Sequence, residues 1–293
     1  MLYGKQQFQK INRLLLRQLQ DEPFLIVAHR GFAHANIIEN TVESMRVAFK
    51  LGADIVETDT MMTKDGTIFL LHTGTEKRLF GQSFSPEAIT AKQFINKHYY
   101  NNIGELSSYQ PVTLCNFIKQ LPRNRMIHLD RGWSHLSELL AVLDHFPNQQ
   151  QQFVIKIKPK AEQIATLRQH RIKYMTVVIV NHDSELQYIL NHLTDEINII
   201  GIELVAANLS DSHVQLDVIK HIKALGLTVM INTLTLNTTT SLFGTLDDDN
   251  AILASPLASP ENIWQEVMIN YQPNMINTDW APLLSQYRRQ LEH

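Results

Sequence analysis

The chain is expected to fold as an α/β protein, a TIM (β/α)8 barrel with a small insertion after the second strand's hairpin arm, on three observations. Eight short apolar segments alternate with stretches of helical periodicity. The segments are apolar nearly throughout, as parallel strands covered on both faces must be. No GxGxxG or GxxxxGK[ST] loop occurs anywhere, so the phosphate loop that an open doubly wound sheet would want is missing. The chain has 293 residues. That length allows two domains of roughly 150, but an α/β barrel commonly uses about 250 residues as one. Residues 1–293 are therefore read as a single catalytic barrel domain.

Taken in order, Phe8, Ile11, Leu15 and Leu19 recur at helical spacing and predict an amphipathic helix at about 5–20. The strand candidates are FLIVAH (24–29), DIVETD (54–59), MIHLD (126–130), FVIKI (153–157), MTVVIV (175–180), INIIGIEL (197–204), LTVMIN (227–232) and NMINTD (274–279). Runs 39–51, 134–145, 160–170, 184–193 and 213–225 supply helices between them. TIFLLH (67–72) follows the Asp65-Gly66 turn, a strong hairpin signal, and reads as an arm of the second βα loop. Residues 73–110 then form an insertion over the barrel mouth. Gln149–Gln152 reads as a solvated linker, and Asn237–Pro260, rich in Thr, Asp, Ser and Pro, as an irregular excursion. The final Leu291-Glu292-His293 is consistent with the stub of an expression tag, so His293 receives no role.

Composition excludes several classes of function. A net charge of −3 with no basic stripe argues against a nucleic-acid partner. A single cysteine, Cys115, rules out an intramolecular disulfide and a CxxC site. The N-terminal stretch lacks the unbroken apolar core of a signal peptide, and no run approaches the roughly 20 apolar residues of a membrane span. A cytoplasmic location is favoured, with signal-independent export or a removed signal left open.

In a barrel of this kind chemistry sits at the carboxyl ends of the strands. The first strand ends in His29-Arg30-Gly31, and period two puts Glu57 and Asp59 of the second on one face. Asp130 closes the third, with His128 two residues earlier pointing the same way, and the hairpin arm ends in His72. Three unpaired carboxylates in a barrel interior would be expensive to bury, and a hard cation such as Mg²⁺ or Ca²⁺ resolves the repulsion. The plainer alternative pairs Glu57 or Asp59 with Arg30 or Lys156. His29 and His72 are suited to flank a phosphodiester as acid and base, with Arg30 on a nonbridging oxygen. His170, His182, His192 and His221 read as solvated helix or loop positions.

AHRG (28–31), ENT (39–41), GADIVETDTMMTKDG (52–66) and FLLH (69–72) resemble the opening of glycerophosphodiester phosphodiesterases. These are barrel phosphodiesterases related to phosphatidylinositol-specific phospholipase C. PVTLCNFI (111–118), NTLTLN (232–237) and MINTDWAPLL (275–284) resemble later segments. The similarity spans about 24–288, dense over 28–72 and thin over 160–225. The resemblance implies that Glu57, Asp59 and Asp130 ligate one divalent cation, Mg²⁺ or Ca²⁺. It makes His29 and His72 the catalytic histidines and Arg30 a phosphate contact, and places Glu39 near the metal or in its supporting shell, where His128 is also expected. It further implies attack of a glycerol hydroxyl on phosphorus with a cyclic phosphate intermediate. Two departures stand out. Thr73 follows His72 where Asp is usual, and Asp130-Arg131 stands where Glu-x-Lys is usual. Lys156 then becomes the candidate phosphate-facing cation, with Lys158 available by parity.

The expected function is hydrolysis of glycerophosphodiesters, an activity of lipid metabolism, to an alcohol and glycerol 3-phosphate. The rivals are a sphingomyelinase-D-like or lysophospholipase-D-like lipid phosphodiesterase or lyase and a catalytically inactive phosphodiester-binding barrel. Phe80, Phe84, Phe94, Tyr99, Tyr100 and Tyr109 form either an apolar rim for a membrane or a small core within the insertion; the core reading is favoured. A small-molecule phosphodiester is therefore the expected partner. Peripheral membrane contact is not favoured, and the oligomeric state is left open.

Overall fold

The computed structural model describes residues 3–237, 240–254 and 260–291. His293 and parts of the Asn237–Pro260 stretch lie outside the described residues. The strands among them are β1 (Leu25–Ala28), β2 (Ile55–Met62), β3 (Ile68–Leu70), β4 (Met126–Asp130), β5 (Phe153–Ile157), β6 (Met175–Val180), β7 (Ile199–Leu204), β8 (Thr228–Asn232), β9 (Thr235–Asn237), β10 (Thr240–Ser241) and β11 (Met275–Thr278). Parallel pairing runs β1-β11-β8-β7-β6-β5-β4-β2, and β2 pairs back with β1 to close the barrel. β3 is the hairpin arm, antiparallel to the end of β2 with Thr60 opposite Leu70.

The barrel interior has two tiers. Leu25, Val27, Ile55, Met126, Val154, Met175, Met230 and Met275 form an apolar floor. Two residues further along several strands the interior turns polar, with Glu57, Asp59, His128, Asp130 and Lys156 all buried or nearly so. The N-terminal helix Gln9–Asp21 plugs the floor through Leu15, which is 1% exposed. Asn12 and Asn198 exchange reciprocal amide hydrogen bonds of 3.1 and 2.7 Å beside it. Phe8 is buried, and Ile11 and Leu19 pack against the core, so the expected stripe is the buried face. The outer layer is helical. Its last helix, Ala281–Gln290, buries Arg288, which donates to Phe24 O at 2.9 Å and pairs with Asp54 and Glu22. No helix among the described residues is long and apolar enough to cross a membrane.

Some local expectations are corrected. β1 stops at Ala28 because Arg30 and Gly31 adopt positive φ (53° and 78°). β2 continues to Met62 because β3 pairs with its end. Gln149–Gln152 is no solvated linker: Pro147–Gln152 is a 3-10 helix, and buried Gln152 donates to the carbonyls of Pro122 and Arg125. Of the four histidines read as solvated, His182 and His221 are exposed, but His170 meets Asp144 at 3.2 Å and His192 meets Tyr188 O at 2.7 Å. The described part of the Asn237–Pro260 stretch holds β10 and the helix Asp248–Ala254. Asp248 Oδ2 accepts from Thr233 Oγ1 (2.7 Å), Thr278 Oγ1 (2.7 Å) and Trp264 Nε1 (3.0 Å), which pins this excursion to the barrel.

Leu15→Ala should destabilise the fold by about 2–5 kcal/mol, because it opens a cavity in a packed floor. Chemical denaturation measures this, and an unchanged midpoint would remove the helix from the fold's foundation. Asp248 offers a second test. Burial pushes its carboxyl up to about 8, against the three hydrogen bonds and with Asp249 adding to the rise. An unfolded aspartate titrates near 3.9, so between these values the folded chain holds a proton that the unfolded chain has released. Stability from this group therefore falls as pH rises from about 4 through about 8. The Asp248→Asn variant should gain stability relative to the wild type between about pH 5 and pH 9; a constant difference in urea denaturation contradicts this.

Candidate active site

The turn after β1 sets the site's first side chains. A Cβ at Gly31 would lie 2.5 Å from Ser44 Oγ, and its φ is positive, so glycine is required there. The turn aims the Arg30 backbone N–H at Glu57 Oε2 (2.9 Å). Its guanidinium lies over Asp59 Oδ2 (3.2 Å) and Glu39 Oε1 (2.9 Å). Glu39 accepts from Arg78 Nη2 with its other oxygen at 2.7 Å, so it supports the arginine rather than joining the acidic set. Burial opposes ionisation of Glu39, but Arg30 and Arg78 outweigh it and hold the carboxyl below its usual range. Asn40, at φ 57°, accepts from the Asp59 backbone N–H (2.9 Å) and donates to Asp59 Oδ2 (3.0 Å). Thr41 then caps the helix Val42–Lys50 by accepting from Ser44 N–H.

Strand register assembles the carboxylates. Glu57 lies opposite His128, and Asp59 opposite Asp130, across the β2–β4 pair. Donor atoms of Glu57, Asp59 and Asp130 lie within 4.8 Å of one another, so the short Asp130 side chain still reaches the group. Glu57 Oε1 is buried without a hydrogen-bond partner. Burial and the neighbouring Asp59 push Glu57 up to about 8. A clustered, all-oxygen donor set with an orphaned buried oxygen fits a hard divalent cation.

The plainer salt-bridge alternative is present alongside that set, in altered form. Arg30 does pair with Asp59, but Lys156 pairs with neither Glu57 nor Asp59. Its Nζ lies 2.6 Å from Asp130 Oδ2 and 2.9 Å from Glu203 Oε2. Burial opposes the charge on Lys156, yet Asp130 and Glu203 outweigh it and raise the ammonium above its usual range. Asn232 Nδ2 donates to Glu203 Oε1 at 2.9 Å, and Asn277 Nδ2 donates to Asn232 Oδ1 at 2.8 Å, extending the chain around the barrel. Lys158 is outside this network, 4.5 Å over the Trp133 ring. His128 is buried beneath it, and burial with Lys156 nearby pushes its imidazole down to about 3, leaving a neutral supporting residue.

The two histidines differ in proton affinity. His29 Nδ1 lies 2.9 Å from Asp279 Oδ1. Burial lowers the His29 value, but the Asp279 charge and hydrogen bond overcome it and raise it to about 9. His72 is lowered, first by burial and then by Arg30 and Arg131, against Asp59. Arg131 Nη1 approaches His72 Nε2 at 2.9 Å, and Nη2 donates to Thr73 Oγ1 at 3.2 Å. A guanidinium has no acceptor, so His72 Nε2 carries the lone pair. Arg131 reaches this position from a left-handed backbone (φ 59°).

The insertion holds His72 in place. Phe80, Phe94 and Tyr99 are buried in one cluster with Phe69 and Leu71, and Phe84 and Tyr109 pack against it, so these aromatics form a core. The insertion also joins the first βα loop, where Asn102 Nδ2 donates to Ala33 O at 3.1 Å. A cavity of about 270 Å³ opens at the mouth, lined by His29, Arg30, His34, Glu39, Asp279 and Trp280 among others. Larger depressions lie elsewhere; one of about 940 Å³, beside the N-terminal helix, includes none of the candidate site residues.

The structure therefore brings together His29, Arg30, Glu57, Asp59, His72, Asp130 and Lys156, with Glu39 and His128 behind them. Sequence reasoning missed Asn40, Arg131, Glu203, Asn232, Asn277 and Asp279. A glutamate inside the apolar run INIIGIEL and the polar ends of NTLTLN and MINTDW were the available signals.

Comparison with known proteins bears on the family and the fold. The Glycerophosphoryl diester phosphodiesterase family matches residues 29–239. A glycerophosphodiester phosphodiesterase of Caldanaerobacter subterraneus subsp. tengcongensis is 43% identical over 54 residues, 18% of this chain and 22% of that protein. One from Bacillus subtilis is also 43% identical over 54 residues, 18% of each chain. The matched stretch thus spans about a fifth of these relatives' own lengths. Among solved structures, a glycerophosphoryl diester phosphodiesterase of Parabacteroides distasonis superposes with a TM-score of 0.69 at 17% identity, covering 99% of this chain and 94% of that one. An Oleispira antarctica phosphodiesterase in complex with the product sn-glycerol-3-phosphate gives 0.61 at 15% identity, covering 91% and 96%. These two share the fold. With the family match extending over most of the barrel, the chain belongs to the glycerophosphoryl diester phosphodiesterase family.

Proposed function

We propose that the chain hydrolyses small glycerophosphodiesters to an alcohol and glycerol 3-phosphate, with one divalent cation, Mg²⁺ or Ca²⁺, held by Glu57, Asp59 and Asp130. One observation carries the reading. Three clustered carboxylates share the mouth with two histidines whose proton affinities are driven in opposite directions. When bound, the cation polarises phosphate oxygens and lowers the pKa of an attacking hydroxyl. His72, neutral with its lone pair on Nε2, accepts the proton of the glycerol hydroxyl, and Arg131 must withdraw from that nitrogen as substrate enters. His29, kept protonated by Asp279, donates to the departing alcohol oxygen, which leaves a cyclic glycerol phosphate. In the second step the roles reverse: His29 takes a proton from a water that attacks phosphorus and His72 returns one to the glycerol oxygen, so that the ring opens to glycerol 3-phosphate. Arg30 faces the nonbridging oxygens, and Lys156 holds Asp130 in place. The product carried by the Oleispira antarctica relative supports the product class.

The cavity of about 270 Å³ is lined by His29 and Arg30 but not by His72 or the three carboxylates, so it is one arm of the site, and that arm is smaller than the roughly 300–1,000 Å³ of drug-sized sites. Together with the packed insertion, this favours a small soluble diester over a two-chain lipid. A cytoplasmic site of action fits such a substrate. The purified chain with Mg²⁺ or Ca²⁺ should release glycerol 3-phosphate from a soluble diester, followed by phosphorus NMR, and turn over diacyl lipid poorly. A chelator, Glu57→Gln or Asp59→Asn should abolish that turnover in a folded protein. Faster turnover of lysolipid or diacyl lipid favours the lipid-acting rival, and cation-loaded protein that binds a diester without cleaving it favours the inactive barrel.

His29→Ala and His72→Ala should each cut kcat by about 10²–10⁴-fold, with smaller changes in binding. Activity should rise with pH as His72 loses its proton, below about 6.5, and fall near pH 9 as His29 loses its own. Asp279→Asn should move the falling limb to lower pH. Near wild-type rates in both alanine variants contradict the acid–base pair.

A further inference from the structure

One wall of the mouth has no part in the chemistry above. Trp280 follows Asp279 at the end of β11, and its backbone N–H donates to Thr278 Oγ1 at 2.8 Å. Its indole Nε1 donates to Asp249 Oδ1 at 2.9 Å, so the ring is fixed, packed on one side against the core and lining the cavity. His34 lies with its ring centroid 5.3 Å from that of Trp280, and Phe32 lies 4.4 Å from His34. Trp280, His34 and Asp249 line the same cavity as His29 and Arg30.

The charge balance of this cavity is uneven. Arg30 and Arg78 together pair with Glu39 and Asp59, and His29 pairs with Asp279. Asp249 has only neutral donors: Trp280 Nε1 on one oxygen and Thr235 Oγ1 at 3.0 Å on the other. No cation pairs with it among the described residues. A carboxylate without a counter-ion beside an aromatic face is the recognition chemistry of an ammonium group. An anionic headgroup would meet repulsion there, and a neutral polyol would find few free donors.

Position selects which end of the substrate arrives. Of the two acid–base histidines His29 lines this cavity, and it gives its proton to the departing alcohol in the function proposed above, on which this inference rests. The headgroup of the leaving alcohol therefore lies on the Trp280 side. We propose that Trp280, His34 and Asp249 form a subsite for a positively charged ammonium headgroup, making zwitterionic glycerophosphodiesters with such a headgroup the preferred substrate class.

The test compares kcat/KM for glycerophosphocholine and glycerophosphoethanolamine with that for neutral glycerophosphoglycerol, in the presence of Mg²⁺ or Ca²⁺. The ammonium diesters should be preferred by at least about tenfold, the scale of a cation–π contact beside a carboxylate. Trp280→Leu and Asp249→Asn should each erode that ratio about fivefold or more, while Asp249→Glu should retain most of it. A merely structural role would lower all three substrates alike. Equal kcat/KM values, or variants that leave the ratio unchanged, overturn the subsite. Choline is titrated separately by calorimetry into wild type and Trp280→Leu. Choline binding that weakens in the variant, without turnover of any diester, would keep the subsite and sink the hydrolase reading. Absence of both binding and preference sinks the subsite alone if diesters are still cleaved.

Discussion

Glu57, Asp59 and Glu203 are at most 3% exposed at their side chains, and Asp130 only 16%. Carboxylates so deprived of water are costly unless paired. Much of the upper barrel serves that need. Lys156 joins Asp130 to Glu203, Arg30 joins Asp59 to Glu39, and Asn40 and the Arg30 backbone supply donors to Asp59 and Glu57. Among the described residues two of these buried oxygens lack a hydrogen bond, and of the two only Glu203 Oε2 faces a cation, Lys156 Nζ at 2.9 Å, while Glu57 Oε1 has none. The protein's own cations therefore neutralise the edges of the acidic group and not its centre.

Supporting this arrangement distorts the backbone locally. Arg30, Asn40 and Arg131 are three of the five non-glycine residues with positive φ among the described residues, and all three bond to a candidate catalytic or metal-binding side chain. Such conformations cost about 1–3 kcal/mol each and persist only where the surroundings over-determine them. Here Ser44 Oγ donates to Arg30 O, Thr58 and Asp59 hold the Asn40 side chain, and His72 and Thr73 hold that of Arg131. Gln272, by contrast, precedes β11 at the other end of the barrel, and the floor is filled by Leu, Val, Ile and Met in regular strands.

The barrel was legible because its strands obey a simple rule of near-continuous apolarity broken by polar ends. Glu57, Asp59, Asp130 and Lys156 were legible for the same reason: a charge inside or closing an apolar strand is rarely idle. What escaped was long-range. Asp279 lies 250 residues from His29, and no local pattern connects them. Arg131 seemed only a departure from Glu-x-Lys, yet its reach to His72 depends on a left-handed backbone that the residue type does not announce. Gln152 and Asp248 looked like loop chemistry because polar composition cannot distinguish a solvated side chain from one bonded to buried groups. The family resemblance sharpened roles in the dense 28–72 block and was silent about the thin 160–225 region, where Glu203 lies.

The Arg288 latch ties the last helix to the beginnings of β1 and β2, through Phe24 O and Asp54, and to Glu22 at the end of the N-terminal helix. Because the strands run parallel, that latch and the Leu15 plug are at the opposite pole of the barrel from the histidines. Coupling the protein to a solid support through exposed Arg289 and Gln290, at the far end of the last helix, would therefore turn the histidine-bearing pole outward. A tethered preparation of this barrel should meet a diffusing diester as freely as the molecule in solution does.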